Sequence, residues 1–141
     1  MANDTTRRHR SFRFSEHTLE RLDARAHEIR ETRTALAERY VEEGLRMDEH
    51  PAIGFVDGPD GRRAVLLGTG LDVWEIVATI RQNRGSLTAA ADYLELPMGP
   101  IQSAARYYAA FPGEIDGILE RQATLAERER SAAARERAIF R

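Results

Sequence analysis

The chain has 141 residues, 42% of them apolar, with a formal net charge of −2, enough for one ordinary domain or two small ones. It has no cysteine, which excludes a disulfide scaffold and a thiolate metal site. No apolar run approaches the roughly 18–20 residues of a membrane span.

The N-terminal stretch MANDTTRRHRSFRF has no apolar segment behind its arginines and does not read as a secretory signal. The expected compartment is a reducing cytoplasm. All 21 basic residues are arginine, and their distribution is uneven. Residues 1–15 carry four arginines against Asp4, a net +3; residues 16–50 sum to −4, residues 51–117 to −3 and residues 118–141 to +2. A basic arm on an acidic body suits an anionic partner at one end only.

Taken in order, residues 1–8 are polar and read as a disordered basic arm. His9–Phe14 alternates Phe12 and Phe14 against Ser11 and Arg13, a short strand with one apolar face. Ser15 is an N-cap followed by Glu16. Leu19, Leu22, Ala26 and Ile29 then recur at helical spacing and predict a helix over 16–29. Thr32 caps a second helix over 33–46, carried by Leu36, Tyr40, Val41 and Leu45. Residues 48–51 read as a linker.

Beyond it, Ile53–Val56 and Ala64–Leu67 flank Asp57-Gly58-Pro59-Asp60-Gly61, which predicts a β-hairpin. Helices are expected over 72–83, 87–94 and 100–111, with Pro100 at the first position of the last. Pro112-Gly113 reads as a break. Residues 114–141 read as a long surface helix whose apolar stripe fails beyond Glu127. The fold class is therefore mainly α: strand–helix–helix over 9–47, a linker, a hairpin with helices over 52–117, and a charged helical tail over 118–141.

One strand over two short helices cannot bury Phe12 and Phe14. A symmetric dimer can, by pairing two strands antiparallel above four helices. His9, Ser11 and Arg13 would then face outward twice, on a ribbon that fits the major groove.

Residues 9–46, HRSFRFSEHTLERLDARAHEIRETRTALAERYVEEGLR, resemble the ribbon-helix-helix (MetJ/Arc/CopG) DNA-binding family. The strand, the capped first helix, the Thr-x-Thr opening of helix two and the spacing match without gaps. The resemblance implies an intertwined homodimer on double-stranded operator DNA, read by His9, Ser11 and Arg13. It places the phosphate clamp on Thr32 and the following amides, at Arg33 and Thr34, which suits anion binding at a helix N-terminus. Arginine bridges guanine O6 and N7 in a bidentate contact worth about 1–3 kcal/mol of discrimination, which singles out Arg13. Arg7, Arg8 and Arg10 would add sequence-independent attraction to phosphates. Where family members usually carry glycine, this chain has Arg30, at a cost of roughly 1 kcal/mol in a left-handed turn.

Residues 50–111 resemble the bacterial domain of unknown function 433. His50-Pro51, Gly68-Thr69, Val73, Ala105 and Tyr108 stand at its recurrent positions, and an arginine common after Gly-Thr is Gly70 here. The resemblance implies a small winged helix-turn-helix-like domain whose second helix would show Gln102, Ser103, Arg106 and Tyr107. Asp92, Glu95, Glu114 and Asp116 make this region acidic, which favours protein contacts over DNA. Among Trp74, Tyr93, Tyr107 and Tyr108, an exposed aromatic would mark an interface anchor. Asp57 and Asp60 read as turn formers. No catalytic constellation appears, so neither catalysis nor a metal or cofactor is expected.

The tail is basic, alanine-rich and ends in apolar Ile139-Phe140. Together with Leu125, Arg128, Arg130, Arg135 and Arg137, these two residues form a candidate docking segment. Proteins that resemble the 433 family are commonly encoded beside PIN-like nucleases. A ribbon-helix-helix domain joined to a partner-binding module is also the usual plan of type II antitoxins. The implied function is therefore that of an antitoxin that autorepresses its operator and masks a PIN-like nuclease toxin, in a bacterial cytoplasm. Two alternatives remain: a stand-alone regulator whose second domain makes higher oligomers or extra DNA contacts, and a structural adaptor.

Overall fold

The computed structural model describes residues 6–141. The chain is mainly helical with one small antiparallel sheet, and it divides between Gly44 and Leu45 into two compact units.

In the first unit, residues 6–15 are extended and unpaired, and they lead into α1, Glu16–Ile29. Ser15 starts the helix because its Oγ accepts the Thr18 N–H at 3.2 Å. Arg30 stops it in the left-handed region, at φ 59° and ψ 38°. The Glu31 N–H donates to the Ala26 carbonyl at 2.9 Å and the Arg30 N–H to that of His27 at 3.3 Å, the paired bonds of a Schellman cap. Thr32 opens α2, Arg33–Glu49, by accepting the Ala35 N–H on its Oγ1 at 3.1 Å. Only Ala26 and Leu36 are buried among this unit's described apolar residues. The strand expected over 9–14 is absent from the single chain, because nothing there offers it an edge.

The second unit begins in the last turn of α2. That helix runs three residues past the expected end at Arg46 and absorbs residues 48 and 49 of the expected linker. The cause is Arg46, whose guanidinium is held by Tyr107 and Glu114. The unit boundary correspondingly lies at 44/45 rather than 47/48. β1, Ile53–Gly58, and β2, Gly61–Leu66, form the expected hairpin, in register from Ile53 opposite Leu66 to Gly58 opposite Gly61. Gly61, at φ 111°, makes the tight return possible. A third strand, β3 (Leu71–Asp72), pairs with β2 and was too short to show a pattern. On β1, Arg62 reaches across from β2 to Asp57 Oδ1 at 3.1 Å and to the Phe55 carbonyl at 3.3 Å.

Three helices follow. Asp72 caps α3, Val73–Gln82, with its N–H donated to Glu75 at 3.1 Å. Ser86 caps α4, Leu87–Leu94, by accepting the Ala89 N–H. α5 spans Met98–Ala110, so Pro100 is its third residue; no intrahelical acceptor exists there for an N–H to miss.

Pro112-Gly113 does not break the chain. Pro112 occupies the first turn of α6, Pro112–Ile139, where its missing N–H costs nothing. The boundary expected at 117/118 therefore falls inside a helix. Ile115 is fully buried, and Ile118 and Leu119 pack on a core of Ile53, Leu66, Val73, Ile76, Val77, Ile101, Ala104 and Tyr107. The helix expected over 114–141 continues past Glu127 to Ile139, beyond the end of its apolar stripe. Among the described residues, no helix is long and apolar enough to cross a membrane.

Candidate functional site

The first unit leaves an apolar face open. Phe12 is 78% exposed and Phe14 50%, while Tyr40 and Val41 on α2 are also exposed. Phe14 lines a groove with Leu22, Ala37, Tyr40 and Val41. A second, overlapping groove takes in Phe12 and Leu19 and is rimmed by Arg7, Arg8, His9, Arg10, Arg33 and Thr34. Two exposed phenylalanines two residues apart follow from strand alternation. The helical spacing of Leu19 and Leu22 places the complementary surface beneath them.

The sequence-derived site residues are partly gathered here. Arg7, Arg8, His9 and Arg10 share the groove rim with Arg33 and Thr34; Ser11, Arg13 and Thr32 stand outside it. Arg13 is exposed and makes no hydrogen bond or ion pair among the described residues. Ser11 Oγ lies 3.4 Å from His9 Nε2, and Arg10 donates to the His9 carbonyl at 3.0 Å. Arg7 faces Glu38 at 3.8 Å. The arm residues before Thr6, including Asp4, lie outside the described residues.

Thr32 and Arg33 are already engaged. The Thr32 hydroxyl is the α2 cap. Arg33 grips Asp23 of α1 through Nε to Oδ1 and through Nη2 to Oδ2, the latter at 2.7 Å. The Arg33 hydrogen bonds hold the Asp23 carboxyl below its ordinary pKa. At the start of α2 the atoms left for an anion are therefore the first-turn backbone amides.

The second unit contains two matched constellations that the sequence reading missed. Tyr107 is fully buried, donates to Glu114 Oε2 at 2.7 Å and accepts from Arg46 Nη1 at 2.8 Å. The same guanidinium lies 3.8 Å from the Phe111 ring centroid. Burial, reinforced by the Glu114 bond, pushes the Tyr107 phenol well above its ordinary range. Beside it, Tyr108 donates to Asp116 Oδ1 at 2.7 Å, and Arg81 bonds both. Each tyrosine of α5 thus meets an acid in the first two turns of α6, 107 with 114 and 108 with 116, across the bend at Phe111. Both groups clamp α6 to the domain. Tyr107 is therefore not displayed by α5 as expected; Gln102 and Arg106 are exposed. The exposed aromatic is Tyr93, at 71%.

Comparison with family models, curated proteins and solved structures finds no match to this chain.

The remaining candidates lie on α6. Leu125, Arg128, Arg130, Arg135 and Arg137 are exposed along the helix, Ile139 ends it, and Phe140 lies just beyond. Arg130 pairs with Glu127 at 2.7 Å.

Proposed function

We propose that the chain is a dimeric operator-binding repressor of the ribbon-helix-helix kind, serving as the antitoxin of a toxin–antitoxin pair. One observation carries the DNA-binding part. The first unit has two well-formed, capped helices, yet among its described residues only Ala26 and Leu36 are buried, and Phe12 and Phe14 stand over open apolar grooves. Such a unit is half of a core. A second copy completes it when the two extended segments pair antiparallel, which satisfies their backbone groups and covers the phenylalanines.

The alternation then turns Ser11 and Arg13 toward the solvent side of the ribbon, with His9 near its start. Arg13, with its guanidinium uncommitted, takes guanine. Arg7, Arg8 and Arg10 follow the phosphates, and the α2 amides at Arg33 and Thr34 hold one in place. Arg33 itself contributes charge only on leaving Asp23.

The test is selection of a binding site from random duplexes, followed by titration of Arg13→Ala and Arg8→Ala. Arg13→Ala should lose preference for the selected site. Arg8→Ala should weaken all duplexes alike and lower the salt slope by about one. Binding without sequence preference at any salt would reject the reading in favour of an adaptor.

In the antitoxin reading, the second unit, winged helix-turn-helix-like in element order, presents α6 to a PIN-like nuclease, and an arginine among 128, 130, 135 and 137 pairs with its metal-binding carboxylates. A nuclease still fully inhibited after truncation at Glu127 would reject that part. One observation favours the stand-alone regulator instead: α6 is a continuous helix rooted in the second unit's core rather than a detached tail.

A further inference from the structure

The basic rim of the first unit's groove carries its own competitor. Arg33 shares that rim with Arg7, Arg8 and Arg10. Its guanidinium is already engaged: Nε and Nη2 both end on the Asp23 carboxylate, with Nη2 2.7 Å from Oδ2. Two parallel N–H donors on two oxygens is the arrangement a guanidinium takes with phosphate as well as with carboxylate. Asp23 therefore occupies the same donors that a nucleic-acid backbone would take.

The pair explains little of the fold. The turn between α1 and α2 is set by cap bonds at Arg30, Glu31 and Thr32, and neither Asp23 nor Arg33 takes part in them. The side chains of Arg33 and Asp23 are 61% and 44% exposed, and an ion pair in that setting adds little stability. Its effect on an approaching anion is more direct. Arg33 is the first residue of α2, beside first-turn amides that favour a negative group. Asp23 neutralises that cation and sets a like charge beside any phosphate that comes near.

We propose that Asp23 competes with backbone phosphate for Arg33, so that the first unit binds any duplex more weakly than its arginines allow. Phosphate contacts position a protein without reading sequence. Asp23 thus sets affinity and its salt dependence, and leaves base preference to Arg13. The competition rests on the duplex binding proposed above, but not on a preferred site.

The test uses the full-length chain with a random-sequence duplex and with the selected-site duplex. Asp23→Asn keeps the side chain's size and removes its charge. Both duplexes should bind about two- to five-fold tighter per subunit, up to about 25-fold for a dimer. The salt slope should steepen by about 0.9 per subunit. Adding Arg33→Gln should cancel the gain. Glu127→Gln breaks another exposed ion pair, with Arg130 on α6, and should change neither quantity. Equal gains from Asp23→Asn and Glu127→Gln would reduce the effect to net charge and overturn the proposal. In the unmutated protein, carbon-detected NMR follows the Asp23 carboxyl, which the Arg33 hydrogen bonds hold below its ordinary pKa. Saturating duplex should return it toward the ordinary carboxylate range. A carboxyl unmoved by duplex, or urea melts in which Asp23→Asn loses stability without gaining affinity, would make the pair a helix clamp and overturn the competition. Site preference absent in every variant, with the Asp23–Arg33 coupling intact on the random duplex, would reject the operator reading alone. No duplex binding by any variant would reject both.

Discussion

Replacing Phe14 with alanine tests the half-core argument quantitatively. Full burial of a phenylalanine side chain is worth about 1.5–3 kcal/mol. Phe14 is 50% exposed in the single chain, so about half of that, roughly 0.75–1.5 kcal/mol, is gained only on association. A two-fold dimer loses the contribution twice, about 1.5–3 kcal/mol in all, which corresponds to a roughly 10- to 150-fold weaker dimer. Phe12, at 78% exposed, has more left to bury, so Phe12→Ala should cost more than Phe14→Ala. Sedimentation equilibrium of the full-length chain would read the association constant. Phe14→Leu should stay within a few-fold of the parent. A dimer constant unchanged by Phe14→Ala, or a parent that is monomeric throughout, would refute the reasoning. On the proposed reading, in which the dimer forms the ribbon, the same loss should reappear in operator affinity at low protein concentration.

Two further outcomes follow from local chemistry. Arg30 and Glu95 both hold left-handed conformations, at φ 59° and 54°, so Arg30→Gly should raise stability by about 1 kcal/mol. Glu95→Gly should raise it by more, since it also removes an acid from the negative end of α4; urea melts of each variant check both. Asp116 has its pKa lowered, first by the Tyr108 hydrogen bond and then by Arg81. Its stabilisation is thus present above the unfolded carboxylate value and is lost as pH falls through the folded one. Asp116→Asn should flatten that part of the acid limb, and an unchanged acid transition would contradict the assignment.

The elements with strong local signals were legible in the sequence. Ser15, Thr32, Asp72 and Ser86 announce helix starts by capping chemistry that needs no tertiary partner. The Gly-flanked turn likewise announces the hairpin. The misread elements were those decided by distant contacts. Residues 47–49 carry little apolar pattern and are helical because Arg46, one turn back, is anchored by Tyr107 and Glu114. Pro112-Gly113 reads as a break unless the following helix starts there. Tyr107 was misplaced because an aromatic on a helix can face either way until its acid and its arginine are known. In the candidate site, the open face over Phe12 and Phe14 was foreseeable from alternation. The capture of Arg33 by Asp23 was not, since it depends on how α1 and α2 lie together.

Trp74, the chain's single tryptophan, sits on α3 with its indole N–H donated to Asp72 Oδ2 at 3.1 Å. Its emission is therefore a private optical reporter of the second unit. The first unit contains only Tyr40 as an intrinsic fluorophore of comparable use. Thermal scans read at tryptophan wavelengths would follow one unit's melting and be blind to the other. Scans of backbone ellipticity would sum both. The difference between the two curves isolates the unit that carries the arm, with no label attached.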